Sequence, residues 1–455
     1  MSDLDELAAY ALGLSWDSLP AATVENAKLF LLDTLACGLA GSGADVAEPV
    51  LRAVRGWGGG PCRVAGLDAG FSLHGGAVMG AYAIHCLEWD AVHEPAVVHA
   101  MSVATAALLA EIQSPAHGSV NGRDFLAALI VAVDIAAGLG VATEAPLRFF
   151  RPATAGLMGA VAGIARLRKF PAARMKDALG LGYSQVAGTM QAHVEGSPAL
   201  AVQVALSARA ALTACDLAES GLSGPHDVLS GPFGYFTLIE DGGDARILLD
   251  RLGTVFAIDE LSIKPYPSGR ASHGVLSTVL ARRADGTVTG DTLERLEARV
   301  PPLVHRLVGR PWAADMGPAY ARLCLPFLVA LALRDGRIDP RAFTPDDFAD
   351  AALRVVGDRV HVTVDDNPDL NALSPQTLVF HLSDGRTLTD HIPATLGAPD
   401  NPLNRDARLD KLAFAGSLAC VPLTEPARER LTACVETLET LPDCLDLFDL
   451  LAPAR

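Results

Sequence analysis

The sequence is short of basic residues and aromatic residues, and it has no closely spaced cysteine pair. Its 455 residues include 36 Lys and Arg against 53 Asp and Glu, which gives a formal net charge of −17. This charge argues against a nucleic-acid or anionic-membrane partner, because either would require a basic surface. The eight cysteines form no CxxC motif, which counts against an iron–sulfur dehydratase and favours reduced thiols in a cytoplasmic protein.

The N-terminal segment is acidic and has neither the basic nor the apolar region of a secretory signal. The longest uncharged stretch, residues 69–87, contains two histidines and several glycines, which favours a buried segment over a membrane span. Half of the residues are hydrophobic, which excludes an intrinsically disordered chain. We therefore expect a cytoplasmic globular protein without a membrane partner.

The first part of the chain has the periodicity of helices that are apolar nearly all round. Such helices are predicted over residues 101–112, 124–142 and 155–167, and a helix with one apolar face is predicted from Pro20 to Gly41. After about residue 265, alternating residues at 296–300 and 359–365 and an Asp384-Gly385 turn within 377–390 predict strands and a hairpin. Helices are predicted between these strands at 272–284 and 317–335, and again in the tail.

The pattern predicts a mainly α protein with an α+β second domain. The expected division is a helical domain over residues 1–266, an α+β domain over 267–398 and C-terminal helices over 399–455 that pack back on the first domain.

Acids and histidines are concentrated in one apolar stretch, at His85, Glu88, Asp90, His93 and His99. Buried charge is costly unless it is paired or used, so this cluster suggests a functional site. A loop in which each histidine is satisfied by a carboxylate is an equal alternative. A metal site is a third: His85 and Glu88 would share a helix face, and His93 or His99 would complete it.

A second cluster lies at the expected domain boundary, in the run Lys264-Pro-Tyr266-Pro-Ser268-Gly269-Arg270-Ala-Ser272-His273. Its cations beside a helix N-terminus predict an anion site, and an exposed basic linker is the alternative. Arg151 opens the helix predicted over 155–167, where it would face either an anion or solvent.

The chain resembles the MmgE/PrpD family, which includes 2-methylcitrate dehydratase, cis-aconitate decarboxylase and iminodisuccinate epimerase. The resemblance runs from end to end, through LLDTLACGLAGS (31–42), EWD…H (88–99), ALGLGYSQVAG (178–188), ESGLSGP (219–225), KPYPSGRASH (264–273), ARLCLPFLVALALRDG (321–336) and GAPDNPL (397–403). It implies an all-helical domain built from both chain ends, a smaller inserted α+β domain, a homodimer, and no organic or metal cofactor.

Several positions depart from the family pattern. Glu88, Asp90 and His99 keep the chemical type of the first motif, whereas Ala91, Val92 and Ala100 do not. A further cationic residue of the family would align near Leu200 and Ala201 and is missing here. Arg151 stands at a position where a histidine is common, and Gly269 stands where His or Cys is common. Arg270 is placed to replace a lost cation. The loss of polar groups at Val92 and Leu200 predicts a substrate with fewer carboxylates, or a less polar one, than a tricarboxylate.

The family's reactions make or break a C–H bond beside a carboxylate, which requires a positioned acid or base and a cationic clamp. We expect His99 in the first role, with Asp90 or Glu88 setting its tautomer and with His93 and His273 as second choices. Lys264, Arg270 and Arg151 would form the clamp, and Tyr266 and Ser268 would contact the substrate.

The resemblance thus implies a cofactor-independent lyase, of dehydratase or decarboxylase type, that acts on a small carboxylate. Two alternatives stay open at this stage. An epimerase or isomerase would use the same proton abstraction, and a non-catalytic member of the family would use none of it.

Overall fold

Two separate hydrophobic cores organise the computed structural model, which describes residues 2–116, 118–143, 145–313, 315–369 and 372–451. The larger core takes residues from Leu4 to Ile263 and again from Leu403 to Leu451, so both chain ends contribute to one helical domain. The smaller core lies between Ala271 and Leu382 and contains both helices and strands. The expected fold class, mainly α with a smaller α+β domain, is confirmed.

The helical domain contains eleven helices before the α+β domain and three after it, among the described residues. They are α1 (Asp3–Gly13), α2 (Ala21–Ser42), α3 (Glu48–Arg55), α4 (Leu73–His85), α5 (Ala100–Glu111), α6 (Gly122–Val141), α7 (Arg151–Leu167), α8 (Ala172–Tyr183), α9 (Gln191–Glu195), α10 (Ala199–Glu219), α11 (Ala245–Arg251), α18 (Arg405–Ser417), α19 (Glu425–Glu436) and α20 (Phe448–Leu451). The intervening helices are α12 (His273–Ala284), α13 (Pro302–Val308), α14 (Pro318–Ala321), α15 (Leu325–Asp335), α16 (Pro345–Ala349) and α17 (Ala351–Gly357).

Small residues let the central helices pack closely. A Cβ on Gly159 of α7 would lie 2.1 Å from the carbonyl oxygen of Ala132 on α6, so the backbones meet there without a side chain between them. By length and composition alone, α6 and α10 could each cross a membrane. Of the most apolar part of each helix, 89% of α6 and 56% of α10 is buried inside the protein.

The C-terminal helices pack back on the first part of the chain. Helix α18 lies against α2, where the buried Lys411 ammonium contacts Asp33 Oδ1 at 2.6 Å and donates to the carbonyl of Trp89 at 3.0 Å. The tail therefore fixes the backbone immediately before Asp90. All eight cysteines are free thiols.

The α+β domain is built on a four-stranded sheet with strand order β4-β3-β5-β6. Its strands are β3 (Leu293–Val300), β4 (Val360–Val364), β5 (Gln376–Leu382) and β6 (Thr387–Ile392). Strand β3 runs parallel to β4 and antiparallel to β5. The expected β5–β6 hairpin is present, and Gly385 takes the left-handed conformation that its turn requires (φ +84°).

The helix predicted over 317–335 is interrupted and forms α14 and α15 instead. Pro326 has no N–H to donate to the carbonyl of Arg322, so the helix cannot continue through this point. That carbonyl instead accepts a hydrogen bond from the N–H of Gly269 at 3.0 Å. The break therefore anchors the segment that follows Lys264.

A two-stranded ribbon joins the two polar clusters that the sequence singles out. Strand β1 (Val92–His93) pairs antiparallel with β2 (Leu261–Ser262), with Val92 opposite Ser262. Residues 88–99 and 264–273, which are far apart in the chain, consequently lie side by side at the junction of the two domains.

Candidate active site

A cavity of about 690 Å³, measured to its open mouth, lies between the helical and α+β domains. Its polar lining residues are Glu88, Glu94, His99, Arg151, His193 and Arg270. A cleft at a domain junction is a common place for a small-molecule site. Four of these six residues, Glu88, His99, Arg151 and Arg270, were predicted from the sequence as site residues.

Asp90 holds two imidazoles at the inner wall of this cavity. Its Oδ2 lies 2.9 Å from His85 Nδ1 and 3.1 Å from His99 Nδ1, and it also accepts a hydrogen bond from Ser102 Oγ. Burial opposes ionisation of Asp90, but the charges of the two histidines hold the pKa of its carboxyl well below the usual range. The ionised carboxylate favours a proton on Nδ1 of His99, which leaves Nε2 of that ring for a substrate.

The pKa values of the two histidines in this cluster are shifted in opposite directions. Burial alone would lower the pKa of His85, but the charges of Asp90 and Glu88 raise it above its ordinary value. Burial lowers the pKa of His99 below its ordinary value. The charge of Asp90 raises this pKa, but the nearby Lys264 ammonium cancels part of that increase. The environment therefore favours the charged form of His85 and the neutral form of His99, with 4.9 Å between the ring centres.

Lys264 reaches the site through Glu88. The fully buried Nζ donates to both the carboxylate Oε2 and the backbone carbonyl of Glu88, each at 3.1 Å. Burial would raise the pKa of Glu88, but the charges of Lys264, His85 and His99 lower it to about 2. The double contact holds Glu88 in a left-handed conformation (φ +56°), which is uncommon outside glycine. Glu88 lines the cavity and Lys264 does not, so the structure places Glu88 between Lys264 and the cavity.

The other two expected clamp residues line the cavity, but carboxylates already neutralise them. Arg151 donates from Nε to both oxygens of Glu240, at 3.0 and 2.9 Å, and its remaining nitrogens bond backbone carbonyls. Arg270 donates from Nε to Glu94 Oε1 at 2.7 Å and bonds the carbonyl of Leu396 at 2.6 Å. Both guanidinium groups thus stabilise the cavity wall.

His93 and His273, the second choices for an acid or base, lie outside the cavity lining. His93 Nε2 lies 2.9 Å from Glu260, and its Nδ1 accepts the N–H of Ala96, so both ring nitrogens are engaged. His273 Nε2 lies 3.2 Å from the carbonyl of Ser268. Burial together with Arg270 and Lys264 holds the pKa of His273 well below its usual range. These contacts give both imidazole rings a structural role.

Ser268 and Tyr266, which were expected from the sequence to contact the substrate, also lie outside the cavity lining. Ser268 Oγ lies 2.9 Å from Ser272 Oγ, and the Tyr266 hydroxyl lies 3.4 Å from Ser277 Oγ. These contacts fix the turn that leads into α12.

Sequence reasoning missed His193 and its neighbour Arg310, of which only His193 lines the cavity. His193 lines the cavity, and burial together with the charge of Arg310 lowers its pKa to about 4. Arg310 donates from Nη2 to the carbonyl of His193 at 3.2 Å, whereas its buried Nη1 has no hydrogen-bond partner in the described part of the chain. Neither residue belongs to a recognisable motif, so only the fold reveals them.

A metal ion was one interpretation of the first cluster. Of the set expected for it, His85 and His99 lie close together with Asp90, and their ligand atoms all fall within 4.8 Å of one another. His93 faces Glu260 and is not in this group.

Comparison with known proteins assigns both parts of the chain to one family. The MmgE/PrpD N-terminal domain matches residues 5–248, and the MmgE/PrpD C-terminal domain matches residues 266–436. The chain is 26% identical to the cis-aconitate decarboxylase-like protein oryM of Aspergillus oryzae, covering 98% of this chain and 96% of that protein. It is 24% identical to the cis-aconitate decarboxylases of Mus musculus and Aspergillus terreus, covering 96% and 98% of this chain and 91% and 95% of theirs.

Proposed function

The chain belongs to the MmgE/PrpD family, and from that premise we propose that it is a decarboxylase that releases carbon dioxide from a small unsaturated carboxylate without a cofactor. The names of its relatives support a lyase of decarboxylase or dehydratase type. The observation that carries the proposal is the imidazole of His99, which lines the cavity with Asp90 behind it.

The proposed reaction needs one proton and no redox partner. The bond from the departing carboxylate to its carbon breaks, and its electron pair forms a new carbon–carbon double bond. The electron pair of the existing double bond moves to its far carbon, which takes the Nε2 proton of His99 in its imidazolium form, and the ring keeps its Nδ1 proton beside Asp90. The carboxylate leaves as carbon dioxide, so its negative charge is transferred to carbon and then quenched by that proton.

The buried cations around Glu88 favour this charge transfer. Lys264, and His85 whose pKa is raised, lie behind the cavity wall, where the low dielectric strengthens the effect of positive charge on charge that develops in the substrate.

An epimerase is the second candidate, because two imidazoles, those of His99 and His193, line the same cavity. An epimerase requires two groups that flank one carbon, one to remove a proton and one to return it. The low pKa of His193, about 4, keeps that ring neutral at neutral pH and able to accept a proton.

The first prediction is that the purified protein releases one carbon dioxide for each cis-aconitate, or each related unsaturated acid, that it consumes. In deuterium oxide the product is expected to carry one deuterium at the far carbon, measured by NMR alongside carbon dioxide release. Activity should survive treatment with a chelator. Deuterium exchange without loss of carbon dioxide would replace this proposal with the epimerase. Loss of activity that added metal restores would contradict independence from a cofactor.

The second prediction concerns pH. Because burial lowers the pKa of His99 below its ordinary value of 6.5, the acid form of the free enzyme is lost as pH rises through that lowered value. We therefore expect kcat/KM to fall with rising pH on the acid side of 6.5. The profile of kcat should extend to higher pH, because a bound carboxylate raises the pKa of the imidazole. Initial rates at saturating and low substrate between pH 4 and 9 measure both; a kcat/KM that rises across this range would contradict His99 as the acid.

We also propose a homodimeric, cytoplasmic enzyme. Large apolar side chains are exposed along one stretch of the helical domain, at Val194, Leu206, Leu217, Leu222, Phe233 and Leu238. A second copy of the chain is the partner that family membership suggests for these exposed side chains. The free thiols agree with a reducing compartment.

A further inference from the structure

The walls of the cavity are apolar on both sides. The helical domain contributes Val97, Phe150 and Met190, and the α+β domain contributes Leu303, Leu307 and Leu323. If a small polyanion lay against such walls, the carboxylates facing them would have neither water nor hydrogen-bond donors around them. The free-energy cost would be on the order of kilocalories per mole for each such group. An alkyl group in the same place would be stabilised, because its apolar surface would be removed from water.

The cavity's own cations offer little to a third carboxylate. Arg151 and Arg270 line the cavity but are paired with Glu240 and Glu94, as described above. Glu88 adds a negative charge to the lining, because its pKa is held at about 2. A ligand with three carboxylates would therefore meet more negative than free positive charge.

Besides Arg151, three of the positions at which the sequence departs from the expected family pattern line this cavity. Val92, Leu200 and Gly269 come from three separate segments, and all three line it together with His99. Each of them presents an apolar surface or no side chain at all. Their convergence makes the loss of polarity a property of one pocket and not three unrelated changes.

We propose that the substrate is an unsaturated dicarboxylate in which an alkyl chain occupies the place of a third carboxylate, packed against Leu200 and Leu307. This inference rests on the proposed decarboxylase function and narrows its substrate class.

A matched series of acids tests the inference, and it supplies the third prediction. The series starts with cis-aconitate and continues with glutaconates in which its central carboxylate is replaced by a methyl or a butyl group. Each acid keeps the bond that breaks and the carbon that takes the proton. Because each buried methylene contributes about a fourfold gain in affinity, we expect kcat/KM for the butyl acid to exceed that for cis-aconitate by at least about tenfold.

The variant Leu200→Lys places a cation in the apolar wall and should reduce or abolish this preference. Its ratio of kcat/KM, butyl acid over cis-aconitate, is expected to fall by at least about tenfold from the ratio of the unaltered protein. Val355→Lys is the matched control, since Val355 is 53% exposed on α17 and does not line the cavity. It should leave the ratio unchanged.

The outcomes separate this inference from the proposed function. Faster turnover of cis-aconitate than of the butyl acid would overturn the alkyl-chain inference and leave the decarboxylase intact. Absence of carbon dioxide release from every acid in the series would overturn both. If Leu200→Lys fails to fold, Leu307→Lys provides the same test from the opposite domain, and an unchanged ratio in a folded variant of either kind counts against the inference.

Discussion

Replacement of His99 by glutamine is expected to lower kcat by about a thousandfold while the protein stays folded. Glutamine keeps much of the size and polarity of the imidazole but has no group that titrates near neutral pH. A positioned acid or base is typically worth a hundredfold to ten-thousandfold in rate. Because His99 lines the cavity beside the ionised Asp90, its loss removes the proton donor of the proposed reaction. Steady-state carbon dioxide release and the thermal unfolding midpoint measure both parts of this expectation.

His226→Gln is the control for this experiment. His226 forms a similar pair with a carboxylate, Asp177 at 2.9 Å, but it lies at the surface and does not line the cavity. Its replacement should leave kcat within a factor of about two. A folded His99→Gln protein with nearly full activity would contradict the proposed acid and would direct attention to His193.

The helices and strands follow from local patterns that the sequence displays openly. Apolar residues nearly all round predicted α6, which is buried among other helices, and the Asp384-Gly385 turn predicted the β5–β6 hairpin. The break before α15 was missed, although its cause, Pro326, is equally local. The local preferences of the residues therefore account for most of the fold, and the main error of the prediction from sequence is a missed helix break.

The partners of buried charges are much less accessible to sequence reasoning. Arg151 and Arg270 were predicted as an anion clamp from their cationic character, their positions near helix N-termini and the family resemblance. Their partners Glu240 and Glu94 lie 89 and 176 residues away, and no spacing rule connects such residues. The same holds for His193 and Arg310, which meet across the two domains. Residue type thus predicted which groups are near the site, but not which of them are already neutralised.

The replacement Lys264→Met is expected to cost both stability and activity. Removal of the ammonium leaves the Glu88 carboxylate largely buried without its principal cation, and breaking such a pair typically costs about 3–5 kcal/mol in the free energy of unfolding. Burial then raises the pKa of Glu88 from its present value of about 2. The negative charge at the cavity wall would weaken, and the field around His99 would change with it. Chemical denaturation and steady-state kinetics provide the two measurements.

The sign of the pH effect follows from the lowered pKa of Glu88. Its pKa of about 2 lies below the ordinary 4.5, so the paired carboxylate stabilises the fold above 4.5, and this contribution is lost as pH falls towards 2. In Lys264→Met the lowering is reduced, so stability should depend less steeply on pH in this window. The difference in unfolding free energy between the two proteins is therefore expected to be smaller at pH 3 than at pH 7.

A second replacement separates the structural part of this effect from the catalytic part. Adding Glu88→Gln to Lys264→Met removes the stranded carboxylate, so much of the lost stability should return, because uncharged groups tolerate burial better than an unpaired ion. Activity should not return, since the cation behind the cavity wall is still absent and Glu88 can no longer carry a charge beside His99. Full recovery of kcat in the stabilised double variant would show that the Lys264–Glu88 pair only supports the fold. Recovery of stability without kcat would make Lys264 a positioning residue that acts on the reaction through Glu88.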